Sequence, residues 1–166
     1  MGRIKVAILV ILCALASGAE DWGPLQFLIG NWSGEGSGQP GDGSAGAFTL
    51  APDLDGTVLV RHSFADYPAA GGRPAVHHSD LTVIYRDGAG KPIRATYWDN
   101  EGHVIPYSVK TSAGSAVFTS DGGREAPRYR LSYSANGADR LKIRFEVAEP
   151  GKDFTVYLES AAQRRR

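Results

Sequence analysis

The 166-residue chain has one cysteine, Cys13, and it lies inside an apolar run, not in any metal-ligand spacing. With that run removed on export the remainder holds no thiol. Disulfides, zinc–thiolate sites and a cysteine nucleophile are then excluded, and stability must come from packing. Net charge is also lacking, 18 Lys and Arg standing against 18 Asp and Glu, so nothing draws the chain to nucleic acid. No apolar stretch reaches the roughly 20 residues that a spanning helix needs, so a stable membrane anchor of that kind is not expected. Gly-x-Ser-x-Gly, Walker-type and His-Glu-x-x-His patterns are absent, and no catalytic residue can be named from a motif. Gly34-Glu35-Gly36-Ser37-Gly38 superficially looks like a phosphate loop but has no helix after it to supply a positive dipole end.

What is present divides in two. Arg3 and Lys5 precede an apolar run from Val6 to Ala16, followed by the small residues Ser17-Gly18-Ala19, the pattern of a secretory signal over residues 1–19. Export to the periplasm or the extracellular space follows as an expectation. Val10-Ile11-Leu12 before Cys13 lack the small residue that lipid attachment would want. Losing Arg3 and Lys5 leaves residues 20–166 with a net charge of about −2. At 42% hydrophobic and 22% charged residues, the whole chain has the make-up of one globular domain.

After Trp22, Pro24-Leu25-Gln26-Phe27-Leu28-Ile29 predicts one or two helical turns ended by Gly30. Ten strands follow: Gly30 to Gly38, Ala45 to Ala51, Thr57 to Ala65, Val76 to Arg86, Pro92 to Trp98, Val104 to Lys110, Ser115 to Thr119, Arg128 to Ala135, Leu141 to Ala148 and Phe154 to Ala161. Asp87-Gly88, Asp99-Asn100-Glu101-Gly102, Asp121-Gly122-Gly123, Asn136-Gly137 and Pro150-Gly151 are tight reversals, which force antiparallel neighbours. An open meander of that length leaves two exposed edges. The predicted fold is therefore all-β, a ten-stranded antiparallel up-and-down β-barrel of the lipocalin or calycin kind with a short helical turn capping one end. Tyr67 to Pro74 reads as a longer loop on one rim.

Alternation is clear within strands, but its phase is not. Tyr129, Leu131 and Tyr133 oppose Arg128, Arg130 and Ser132; Leu141, Ile143, Phe145 and Val147 oppose Lys142, Arg144 and Glu146. Val58, Val60, His62 and Phe64 oppose Leu59, Arg61 and Ser63, and polarity alone does not decide which set lines the interior.

The segment from Pro24 to Gly38, with a short helix, Gly30-Asn31-Trp32 and alternating glycines, resembles the opening of nitrobindin-like and fatty-acid-binding calycin barrels. Tyr97-Trp98-Asp99-Asn100-Glu101-Gly102-His103 resembles a hairpin of uncharacterised exported bacterial relatives. The resemblance implies that Trp32 plugs the closed end while Gly34 and Gly36, with Gly38, let the first strand bend. It also implies haem, held in nitrobindins by a histidine on the last strand and used on nitric oxide or peroxynitrite. Phe154-Thr155-Val156-Tyr157-Leu158-Glu159 holds no histidine, and none follows His103. No cofactor is therefore predicted. Haem stands as the alternative, with His62, His77, His78, His103 or Tyr157 left to ligate it.

The leading reading is a binding module for a small hydrophobic or amphipathic molecule. The cavity candidates are His62, His78, Arg94, Tyr107, Arg130, Arg144 and Tyr157, imidazoles to orient a ligand and guanidinium and phenol groups to meet a carboxylate. His62 enters only if the Val58 face is interior. His77 and His78 must point to opposite faces, while Asp80 shares the face of His78, so a two-histidine metal site is disfavoured and no metal is predicted. Arg144 has a second expected placement, stacked on the Trp32 indole at the barrel end. Arg164-Arg165-Arg166 reads as a solvated tail. An enzyme with His62 or His78 as base and Tyr107 or Tyr157 as acid, and a filled structural barrel packed by Trp98, Phe118, Tyr133 and Phe145, complete the alternatives. The sequence sets no oligomeric state.

Overall fold

The computed structural model describes residues 22–35, 45–69, 71–72, 74–88 and 90–166. The expected signal segment, Gly36 and Gly38 lie outside the described residues. The chain forms β1 (Gly30–Glu35), β2 (Ala45–Asp53), β3 (Val58–Tyr67), β4 (Val76–Arg86), β5 (Ile93–Asp99), β6 (Val104–Ser112), β7 (Ser115–Ser120), β8 (Arg128–Ala135), β9 (Arg140–Ala148) and β10 (Thr155–Arg165). Each strand pairs antiparallel with its sequence neighbours and β10 pairs with β1, closing the barrel. The all-β, ten-stranded up-and-down architecture read from the sequence is the one observed.

Two details differ. The N-terminal turn is a 3-10 helix, Gly23–Leu28, with Pro24 in its first turn, where a missing N–H costs nothing. β10 runs on to Arg165 instead of ending at Ala161, because the last residues pair with β1: Trp32 faces Arg164 and Asn31 faces Arg165.

Strand direction sorts the interior into layers. At the end sealed by the 3-10 turn, Leu25, Trp32, Leu59, Ile84 and Leu141 are fully buried, with Leu28, Leu50 and Ala116 around them. Trp32, 1% exposed, donates from Nε1 to the Leu28 carbonyl at 2.8 Å and so ties the plug to the turn it supports.

The stacked arginine expected at this end is Arg164, not Arg144. Its guanidinium lies 4.2 Å from the centre of the Trp32 ring, and Nη1 and Nη2 donate to the carbonyls of Ile29 and Phe27 at 2.7 and 3.0 Å. These are carbonyls at the end of the turn, which no helical N–H follows to satisfy. Gly30 has φ +136°, and a Cβ there would overlap that guanidinium. Part of the terminal tail is thus a structural lock.

Above this core sits a layer of aromatic rings. Phe48 stacks on Trp32 with centroids 6.1 Å apart, Tyr133 lies 5.9 Å from both Phe48 and Phe118, and Tyr107 meets Phe118 edge-on at 6.4 Å. Beyond that layer the barrel opens. Gly34 and Gly46 let strands approach closely there, since a Cβ on Gly34 would stand 3.2 Å from the Gly46 carbonyl oxygen.

Candidate functional site

The open half of the barrel holds a cavity of about 750 Å³. Its floor is the aromatic layer, its walls carry Ile105, Leu131, Ile143, Phe145 and Leu158, and Tyr67, Pro68 and Pro74 line it beside the β3–β4 connection. The filled barrel packed by four aromatics does not occur, because Trp98 points outward and only Phe118 and Tyr133 of that set are buried.

The phase of β3 is the reverse of the one that would make His62 a cavity group. Leu59, Arg61, Ser63 and Ala65 face inward; His62 is exposed on the outer surface and does not line the cavity. The same parity places three arginines outside. Arg94 pairs with Asp121 and donates to Ser108, Arg130 grips Glu146 through Nε and Nη2 at 2.6 and 2.7 Å beneath Phe154, and Arg144 pairs with Glu159. The Arg130 hydrogen bonds hold the Glu146 carboxyl below its ordinary range despite burial.

Of the sequence-stated candidates, His78, Tyr107 and Tyr157 line the cavity. Tyr107 belongs to the floor, and burial raises its phenol well above the usual value. Tyr157 sits in the β10 bulge between Val156 and Leu158, 58% exposed, with its ring edge-on to Phe145 at 6.0 Å. His78 bonds Glu101 through Nδ1 at 3.0 Å and Tyr97 Oη through Nε2 at 3.1 Å, while Asp80 stands 3.9 Å from Nε2.

Tyr97 Oη also donates to Asp99 at 3.1 Å, so the phenol bridges a histidine and a carboxylate. Burial, with Asp80 and Asp99 nearby, raises the Tyr97 phenol far above its ordinary value and keeps it protonated. His77, by contrast, is exposed and pairs with Asp66 at 2.6 Å. Among the described residues no group of three or more His, Cys, Asp or Glu is placed to hold a metal ion.

The residues missed in the sequence are Arg61, Tyr97, Asp99 and Tyr133. Arg61 reaches across the floor, pairing with Asp80, donating to Ser63 at 2.9 Å and lying 4.9 Å from the centre of the Phe48 ring. Burial pulls against its charge, but Tyr133, Asp80 and Tyr97 outweigh that and raise its pKa. Asp80 on the His78 face was the available clue, since an inward carboxylate on β4 asks for a partner on β3.

Asp99 anchors the β5–β6 hairpin by accepting from the backbone of Glu101 and His103 at 3.0 and 2.9 Å and from the His103 ring at 2.8 Å. Burial would raise its pKa, yet these bonds and that from Tyr97 hold it at about 2, below its ordinary 3.8. A depressed carboxyl stabilises the fold above its unfolded pKa and loses that contribution as pH falls toward the folded value. The hairpin should therefore loosen between about pH 4 and pH 2. In acid-range NMR the Asp99 carboxyl should titrate at about 2, and Asp99→Asn should flatten the acid dependence of Gly102 amide exchange. A midpoint near the ordinary value would contradict this.

No family model and no curated protein matches the chain. Among solved structures, the crystal structure of Rv2717c from M. tuberculosis aligns with a TM-score of 0.60 at 14% identity, over 87% of this chain and 96% of that one. At that identity the likeness establishes a shared barrel fold.

Proposed function

We propose that this protein is an exported binder of a small, largely apolar molecule, of the calycin kind, with no chemistry of its own. The observation that carries the reading is the open-mouthed cavity of about 750 Å³ above an aromatic floor, within the roughly 300–1,000 Å³ of ligand pockets. Apolar walls supply affinity by releasing water, and the few polar groups at the floor and rim orient the guest. Haem is the less supported alternative, because the two histidines lining the cavity are already engaged, His78 by Glu101 and Tyr97 and His103 by Asp99.

The test uses the neutral dye Nile red titrated into the purified protein. Saturable single-site fluorescence enhancement is expected, and Leu131→Trp, which fills the upper cavity, should abolish it while thermal unfolding stays cooperative. Enhancement that survives this variant would assign the dye to the outer surface and overturn the reading. A Soret band on haemin addition, lost in His78→Ala, would transfer support to the haem alternative.

A further inference from the structure

Two donors at the cavity floor have no hydrogen-bond partner among the described residues: the Tyr133 hydroxyl and Arg61 Nε. Both side chains line the cavity and gather around one ring, the guanidinium 4.9 Å from the Phe48 centroid and the Tyr133 ring 5.9 Å from it. Tyr133 is 2% exposed. Buried polar groups in folded proteins nearly always have partners, so each of these two donors calls for one.

What would satisfy them is an acceptor, since both groups can donate. The acceptor's charge is set by the surroundings. Arg61 is already paired with Asp80, and the cavity is further lined by Asp99 and Glu101, so among the described residues its lining holds three carboxylates to one guanidinium. Even with His78 and His103 protonated the lining is no better than neutral. A ligand carboxylate would leave water to sit near Asp80 with no unpaired cation to meet it, a costly exchange at a buried site. A carbonyl oxygen carries no such penalty.

Building on the binding function proposed above, we infer that the cavity selects uncharged molecules that present a carbonyl-type oxygen to Tyr133 and Arg61 Nε, and rejects carboxylates of equal size. The ligand class is thus ketones, esters, lactones or amides with an apolar body, not free fatty acids.

Three matched probes test this by displacement of Nile red: pentylbenzene, valerophenone and 5-phenylpentanoate. Valerophenone should bind at least about tenfold tighter than 5-phenylpentanoate at neutral pH, because the carboxylate gives up its hydration at a lining whose guanidinium is already paired with Asp80. Tyr133→Phe sheds only the unpartnered hydroxyl and retains the packed ring. It should weaken valerophenone about five- to tenfold and leave pentylbenzene within about twofold. The carbonyl stretch of bound valerophenone should lie at lower wavenumber in the parent protein than in Tyr133→Phe.

Equal losses for valerophenone and pentylbenzene, or tightest binding by 5-phenylpentanoate, would overturn the head-group assignment while leaving the binding reading intact. Failure of Nile red and all three probes to enter would remove the binding reading itself.

Discussion

Replacing Asp80 by alanine is expected to destabilise the barrel by about 3–5 kcal/mol, because it leaves the Arg61 guanidinium buried without its carboxylate. What would remain around Arg61 is the Ser63 hydroxyl and the face of Phe48, one neutral acceptor and one weak ring contact. Neither replaces a charge. The double variant Arg61→Met/Asp80→Leu should recover most of the loss, since a buried ion pair exchanged for well-packed apolar groups is often neutral or better. Urea unfolding reads both, with the midpoint moving and the slope unchanged. A loss below about 1 kcal/mol for Asp80→Ala would show the guanidinium escaping through the mouth into water, and with it the cavity floor described above would fail.

The order of strands was legible because the reversals are chemical. Gly88, Gly102, Gly137 and Gly151 all have positive φ at positions the sequence marks as turns. Closure was legible too, since a ten-strand meander leaves costly edges unless its ends meet. In β9 the alternation was plain and its phase was not; the structure turns the apolar set inward, Leu141 into the core and Ile143, Phe145 and Val147 to the cavity.

In β3 the phase was hidden. Val58 and Val60 of its more apolar face stand outside, with Phe64, 42% exposed, at the edge of the cavity, while the inward face carries Arg61 and Ser63. That inversion is tolerable only because Asp80 on the next strand neutralises Arg61, a partnership that depends on register across the sheet and not on local sequence. The parity error carried His62 into the candidate site and left Arg61 out. Arg94, Arg130 and Arg144 were misread for a related reason: each has a carboxylate on a neighbouring strand or loop that holds it on the outer surface. Arg164 was invisible in the same way, since Gln163-Arg164-Arg165-Arg166 has the look of a tail until β10 is set against β1.

Trp32→Ala should cost about 3–5 kcal/mol, the range for removing a large buried aromatic from a packed core. The lost ring does three jobs at the closed end: it stacks on Phe48, donates to the Leu28 carbonyl, and gives Arg164 the face on which it lies while capping Phe27 and Ile29. These functions can be separated. Trp32→Phe retains a ring but deprives the Leu28 carbonyl, so about 1–3 kcal/mol is expected. Arg164→Lys keeps charge but loses the planar fork that reaches two carbonyls at once, and should fall well short of wild type. If plug and lock act as one unit, the double variant Trp32→Ala/Arg164→Ala should lose less than the two single losses added, by about 0.5–3 kcal/mol. Strict additivity would mean that the ring and the guanidinium hold the closed end independently, each through its own hydrogen bonds, with no energy in their stacking.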